Sequence, residues 1–274
     1  MSLHPSLQPY ADAWTHAAEA ISQLVTPLPD REWNRATPCR GWSVRDVVSH
    51  VIGMECEALG DPRPIHTLPR DLYHVKTEPQ RYMEVQVDVR RHHTAPEMTA
   101  ELEYTIIRRS RQLRNEYREP DTEIRGLLGR NQTLHDHLRS RVFDTWVHEQ
   151  DLRAALATPG DLDSPGSAVV RDMILDELPK IVAKRAGAAP GSAVVFDVGG
   201  PVEFLRTVRV DANGRGTIDG SPSLGPALTL SLDWETFYRL ACGRVTPESA
   251  AGEIKAEGDQ ELADAVLREI VITF

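Results

Sequence analysis

Arg141-Val142-Phe143-Asp144-Thr145-Trp146-Val147-His148-Glu149-Gln150-Asp151-Leu152-Arg153 reads as one helix with two stripes. His137, Arg141, Asp144, His148, Asp151 and Ala155 follow at steps of four, three, four, three and four, which holds them on one helical face. Beside them run Leu138, Val142, Thr145, Glu149, Leu152 and Leu156, a mostly apolar line. A surface helix normally sets an apolar seam against the core and scatters its charges outside. Here an ordered polar stripe borders the apolar one. Carboxylate and imidazole are therefore placed to face the interior of a helical bundle, where they need partners or a metal.

The spacing of Asp144 and His148 does not single them out. Asp or Glu fills 41 of 274 positions, and an Asp four residues before a His also occurs at Asp12/His16, Asp46/His50 and Asp88/His92. Context separates them. Asp12 and His16 lie off the apolar line Leu7, Ala11, Trp14, Ala18, Ile21 and Val25, a helix ended by Pro27 and Pro29, and read as a solvated outer pair. Ser43 is a natural N-cap with Asp46 three residues on, so Asp46 is occupied in starting a helix. His50 then falls among Val47, Val51 and Met54 on the inward side of that helix, a position that suits a hydrogen-bonded core histidine as well as a ligand.

From Asp61 to Thr94, prolines and basic residues break the periodicity, leaving a long connection with a short helix near Tyr82 to Arg91. His66, His74, His92 and His93 in or beside it read most simply as exposed, although such a connection can also cover a pocket. Thr94-Ala95-Pro96-Glu97 opens another helix, with Met98, Leu102, Ile106 and Leu113 buried and Arg108, Arg109, Arg111 and Arg114 solvating its far end. Asp163-Ser164-Pro165 starts the next, which Pro179 should bend and Gly187 and Pro190 end.

The pattern then switches to strands at 193–198, 202–210, 216–218, 227–232 and 254–256, with helices from Asp233 to Cys242 and from Asp259 to about Ile270. The expected fold class is α plus α+β: a four-helix bundle over residues 1–188, then a small α+β domain over 189–274.

Composition narrows the function. A hydrophobic content of 41% and a charged content of 26% suit a globular protein, and the formal charge of −10 argues against a nucleic-acid partner, which requires a basic stripe. Met1 to Leu7 lacks the charged start and apolar run of a signal peptide, and no apolar run approaches the roughly 18 residues that span a bilayer. Cys39, Cys56 and Cys242 are odd in number and widely spaced, as in a reducing compartment, so a cytoplasmic protein without a membrane partner is expected.

The run T-P-C-R-G-W-S-V-R-D-V-V-S-H ending in His50, the run D-T-W-V-H-E-Q-D-L-R from Asp144 to Arg153, and a C-terminal α+β portion with G-R-V-T and G-D-Q-E-L-A segments resemble the mycothiol-dependent maleylpyruvate isomerase family. The resemblance covers nearly the whole chain except about Asp61 to Thr133, and implies a DinB-like metal-binding bundle followed by a sterol-carrier-like domain. It implies that His50, Asp144 and His148 hold a divalent metal. Asp144 departs from the Glu of the characterised isomerase; being one methylene shorter, it draws the ion closer to its helix or requires a water. Two imidazoles, one carboxylate and open positions suit catalytic zinc, and also Fe or Ni.

Such an ion would hold the sulfur of mycothiol, or a similar small thiol, as thiolate. Addition of that thiolate to an activated double bond, rotation and elimination would isomerise a maleylpyruvate-like electrophile, whereas attack with retention would make the protein an S-transferase. The resemblance also implies that Arg244 holds a substrate carboxylate, a position that by itself reads equally as a surface arginine. Arg141 and Asp151, on the ligand stripe, are placed to orient the imidazoles. A reading of another class, a metal-stabilised carrier or binding protein without turnover, uses the same residues.

Overall fold

The computed structural model describes residues 3–126, 129–221 and 225–273. They form two compact units, one running to Val169 and the other from Val170 to Thr273. The first is helical. Helix α1 (Gln8–Val25) buries Trp14, Ala18, Ile21 and Val25 and leaves Asp12 and His16 outside, as its periodicity requires. Helices α2 (Val44–Ala58), α4 (Ala95–Arg114) and α5 (Leu134–Leu156) complete a four-helix bundle with it, and α3 (Glu78–Asp88) packs on α2.

Three of the helix starts follow one chemistry. Ser43, Thr77 and Thr94 accept from the backbone N–H three residues on, while Asp46, Gln80 and Glu97 reach back to the cap. Thr133 caps α5 by accepting from Asp136 N, and the helix ends at Ala157, whose φ of 55° is left-handed. A small hairpin, β1 (Glu123–Arg125) and β2 (Asn131–Thr133), precedes α5. Its strands of three largely polar residues are too short to show an alternation, which is why the sequence did not reveal it.

The second unit is a five-stranded sheet in the order β5-β4-β3-β6-β7, from β3 (Ala193–Gly199), β4 (Phe204–Val210), β5 (Gly216–Asp219), β6 (Leu228–Asp233) and β7 (Lys255–Gly258). The central pair β3–β6 is parallel, with Phe196 opposite Leu230, and the other pairings are antiparallel. Helices α7 (Trp234–Ala241) and α8 (Gln260–Glu269) pack on the sheet, and Phe196, Trp234 and Phe237 are fully buried.

The units divide inside α6 (Pro165–Lys180), earlier than the residue 188 expected from sequence. Beyond Pro179 the backbone widens into one π turn, Ile181–Arg185, and this stretch belongs to the sheet. Arg185 Nη1 donates to Val271 O at 3.1 Å, and a Cβ at Gly216 would collide with the Pro179 carbonyl. Among the described residues no helix is long and apolar enough to cross a membrane.

Candidate metal centre

Helix α2 presents His50 because its start is fixed. The Ser43–Asp46 box sets the first turn, a backbone bridge joins Ala36 to Ser43, and every residue from Val44 to Glu55 is buried. His50 is 2% exposed and burial pushes its imidazole pKa down, so the ring is held neutral, as a ligand must be. From α5, Asp144 and His148 reach the same point. His50 Nε2 lies 3.2 and 3.3 Å from the two Asp144 carboxylate oxygens, and His148 Nε2 lies 3.6 Å from Asp144 Oδ1.

One ligand atom from each of the three residues falls within 4.8 Å of the others. Four donors set tetrahedrally at about 2.0–2.1 Å from a zinc ion stand roughly 3.3 Å apart, close to the separations between Asp144 and the two rings. The donor set and its spacing therefore fit a divalent ion. Asp151 Oδ2 lies 3.0 Å from His148 Nδ1 and leaves Nε2 to face the centre. His50 Nδ1 has no such hydrogen-bond partner among the described residues.

Behind Asp144 runs a buried chain of charges. Burial alone would push the Asp144 carboxyl up, but His50 and Arg141 outweigh it and hold the group well below the usual carboxylate range. Arg141 Nη2 donates to Asp144 Oδ2 at 2.9 Å and stands 2.7 Å from Glu55 Oε1; Glu55 Oε2 accepts from Arg109 Nε at 3.1 Å. Arg109 Nη2 in turn stands 3.4 Å from His137 Nε2. Burial, with Arg109 and Arg141 nearby, pushes the His137 pKa down to about 3. In formal charge, the two guanidiniums face the two carboxylates of Glu55 and Asp144, and Asp151 beside His148 adds a third negative group.

Two of these partners escaped the sequence reading. Arg109 is 4% exposed and belongs to the charge chain, not to a solvated helix end, because its counterion comes from another helix. Glu55 carries no local signal: it lies on α2 beyond the His50 motif and meets both arginines only across the bundle. Trp42 is a third omission, with its ring centroid 4.9 Å from that of His50 and 5.9 Å from that of His148.

The remaining Asp/His spacings lead elsewhere. His16 faces Asp161 at 3.5 Å, Asp46 closes its capping box and accepts from Arg91 Nε, and Asp88 pairs with His66 and Arg91 while His92 is exposed. His74 is not exposed; its Nε2 lies 3.0 Å from Glu84 Oε2. Arg244 lies in the second unit just after α7, and its Nη1 donates to Cys242 O at 2.8 Å. Cys39 and Cys56 are half-buried and Cys242 is buried, with no disulfide joining them.

Comparison with known proteins bears on the family and the fold. Residues 14–153 match the mycothiol maleylpyruvate isomerase N-terminal domain, and residues 168–265 match the C-terminal domain of the same family. A crystal structure of the mycothiol-dependent maleylpyruvate isomerase aligns over 94% of this chain and 96% of its own, with a TM-score of 0.59 at 14% identity. A mutant of that enzyme aligns over the same shares with a TM-score of 0.58 at 15% identity. Sterol carrier protein 2 from Yarrowia lipolytica covers 42% of this chain and 98% of its own with a TM-score of 0.29 at 16% identity, too slight a likeness to bear on the fold. No curated protein matches. With family domains matched from Trp14 to Arg153 and from Ala168 to Ala265, the chain belongs to the mycothiol maleylpyruvate isomerase family.

Proposed function

We propose that this protein is a metal-dependent isomerase that uses mycothiol, or a thiol like it, on a small carboxylate-bearing electrophile of the maleylpyruvate kind. The observation that carries the reading is the meeting of His50 from α2 with Asp144 and His148 from α5, two buried imidazoles and a half-buried carboxylate held in one preorganised set. These three side chains would hold zinc or another divalent ion, and with only three protein donors they leave room for an exogenous ligand. When bound, the ion supplies Lewis acidity that lowers the pKa of a coordinated thiol and holds it as the nucleophilic thiolate.

The protein's own groups do the rest. Asp151 fixes the tautomer of His148 through Nδ1, and Arg141 anchors the Asp144 carboxylate in one orientation. Arg244 is assigned to the substrate carboxylate through its guanidinium fork, a role that rests on the family resemblance. A cytoplasmic place of work is part of the same reading, supported by three widely spaced cysteines without a C-x-x-C pair.

The test is metal analysis of the purified protein followed by an assay with and without mycothiol on a panel of electrophiles, using the variant Cys39→Ser, Cys56→Ser, Cys242→Ser beside the native chain. Activity that needs added thiol and survives loss of all three cysteines is expected. Thiol-independent turnover that vanishes with one cysteine would overturn the reading. Recovery of a stable thioether product in place of isomer would reassign the protein as an S-transferase.

A further inference from the structure

A buried carboxylate outside the charge chain calls for explanation. Glu84 on α3 is fully buried, yet it touches neither Asp144 nor either ligand histidine. Taking a carboxylate out of water is costly unless donors surround it, and three do. Glu84 Oε2 accepts from Trp42 Nε1 at 3.0 Å and lies 3.0 Å from His74 Nε2, while Oε1 accepts from Arg91 Nη2 at 2.5 Å.

What these bonds fix is the indole of Trp42. Its ring lies over the imidazole of His50 and that of His148, inclined at 38° to each, so one side chain packs against two ligands delivered by different helices. The turn beneath it is equally constrained. Trp42 N donates to Cys39 O at 3.0 Å, and Thr37 Oγ1 donates to Trp42 O at 2.9 Å. Gly41 takes a φ of +88°, and a Cβ there would collide with the His74 ring. Arg91 extends the arrangement from Glu84 to Asp46, which closes the α2 cap ahead of His50.

We propose that Glu84 is a positioning residue for the metal centre, acting through Trp42, whose indole sets the planes of His50 and His148 and shields their outer side from water. A ligand imidazole binds along its ring plane, so a ring free to tilt loses affinity even when its helix is in place. Partners outside the ligand set commonly contribute 10–100-fold to metal affinity. A merely apolar filler at position 42 would lose nothing on conversion to phenylalanine beyond a packing increment. This inference rests on the metal reading given above.

The experiment compares Co2+-loaded native protein with Trp42→Phe, Glu84→Gln, the double variant and His50→Ala, measuring the visible Co2+ spectrum, the Co2+ dissociation constant by chelator competition, and circular dichroism. Trp42→Phe and Glu84→Gln should each weaken Co2+ binding by about 10–100-fold and shift the visible bands, with native circular dichroism. The double variant should be no worse than the weaker single one, since both act on one ring. Native affinity and spectrum in either Trp42→Phe or Glu84→Gln would overturn the proposal, and so would failure of Trp42→Phe to fold, which would make that residue structural. If His50→Ala itself kept native affinity, the metal reading would fall instead.

Discussion

Asp46 and Asp144 stand in the same sequence relation to a histidine and do entirely different work. Asp46 spends its carboxylate on the first turn of α2, whereas Asp144 meets His50 across the bundle. His50→Ala, Asp144→Ala and His148→Ala are each expected to remove most bound metal, and His16→Ala and His92→Ala to leave it, as elemental analysis per chain will show. Full retention in the Asp144 variant would dismiss the centre. The stripe on α5 was legible because a helix repeats every 3.6 residues; Glu55 was not, because its purpose lies in arginines 54 and 86 residues away.

His137 gives a pH prediction with a definite sign. Its imidazole sits at about 3 in the folded chain against about 6.5 when unfolded, so only the unfolded chain takes up this proton between those values. Its contribution is complete above about pH 6.5, and stability falls by up to about 1.4 kcal/mol per pH unit on the way down toward 3. His137→Gln should flatten the acid side of the urea-derived stability profile by that slope. An unchanged slope would mean that His137 is protonated in the fold.

At the level of elements, caps and periodicity carried most of the information. The boxes at Ser43 and Thr94 and the cap at Asp259 were all readable from side-chain spacing, and the helices begin where those residues permit. What spacing could not give was the face of α4 carrying Arg109, since a buried arginine and a solvated one look alike until the counterion is in place. Ser43→Ala should cost about 1 kcal/mol in urea denaturation, the usual worth of an N-cap side chain. It should also weaken metal binding, since the same turn sets Trp42 and His50. A loss of stability with no change in metal affinity would show that the cap and the centre are independent.

For the whole molecule, the switch from helical to strand patterning gave the two-part architecture, but the dividing point needed long-range contacts. Pro179 marks a bend near the end of helix α6, but nothing local shows that the turn beyond it serves the sheet. A fragment beginning at Ser164 should therefore unfold cooperatively, whereas one beginning at residue 189 should lack cooperative unfolding, having lost the π turn and the Arg185 bond to Val271. Circular dichroism against urea separates the two outcomes. Removing metal from the full chain with a chelator should leave the far-ultraviolet spectrum near native, because helices of this extent bury a core without an ion; collapse would make the ion structural.

Helix α2, enclosed on all sides from Val44 to Glu55, has one more consequence. In a library of single substitutions, α1 should show losses at every third or fourth position, with freedom between them. Helix α2 should show an unbroken block of intolerance, polar positions included. Attempts to diversify the bundle would therefore gain little from α2 and should draw their variety from the outer faces of α1 and α4.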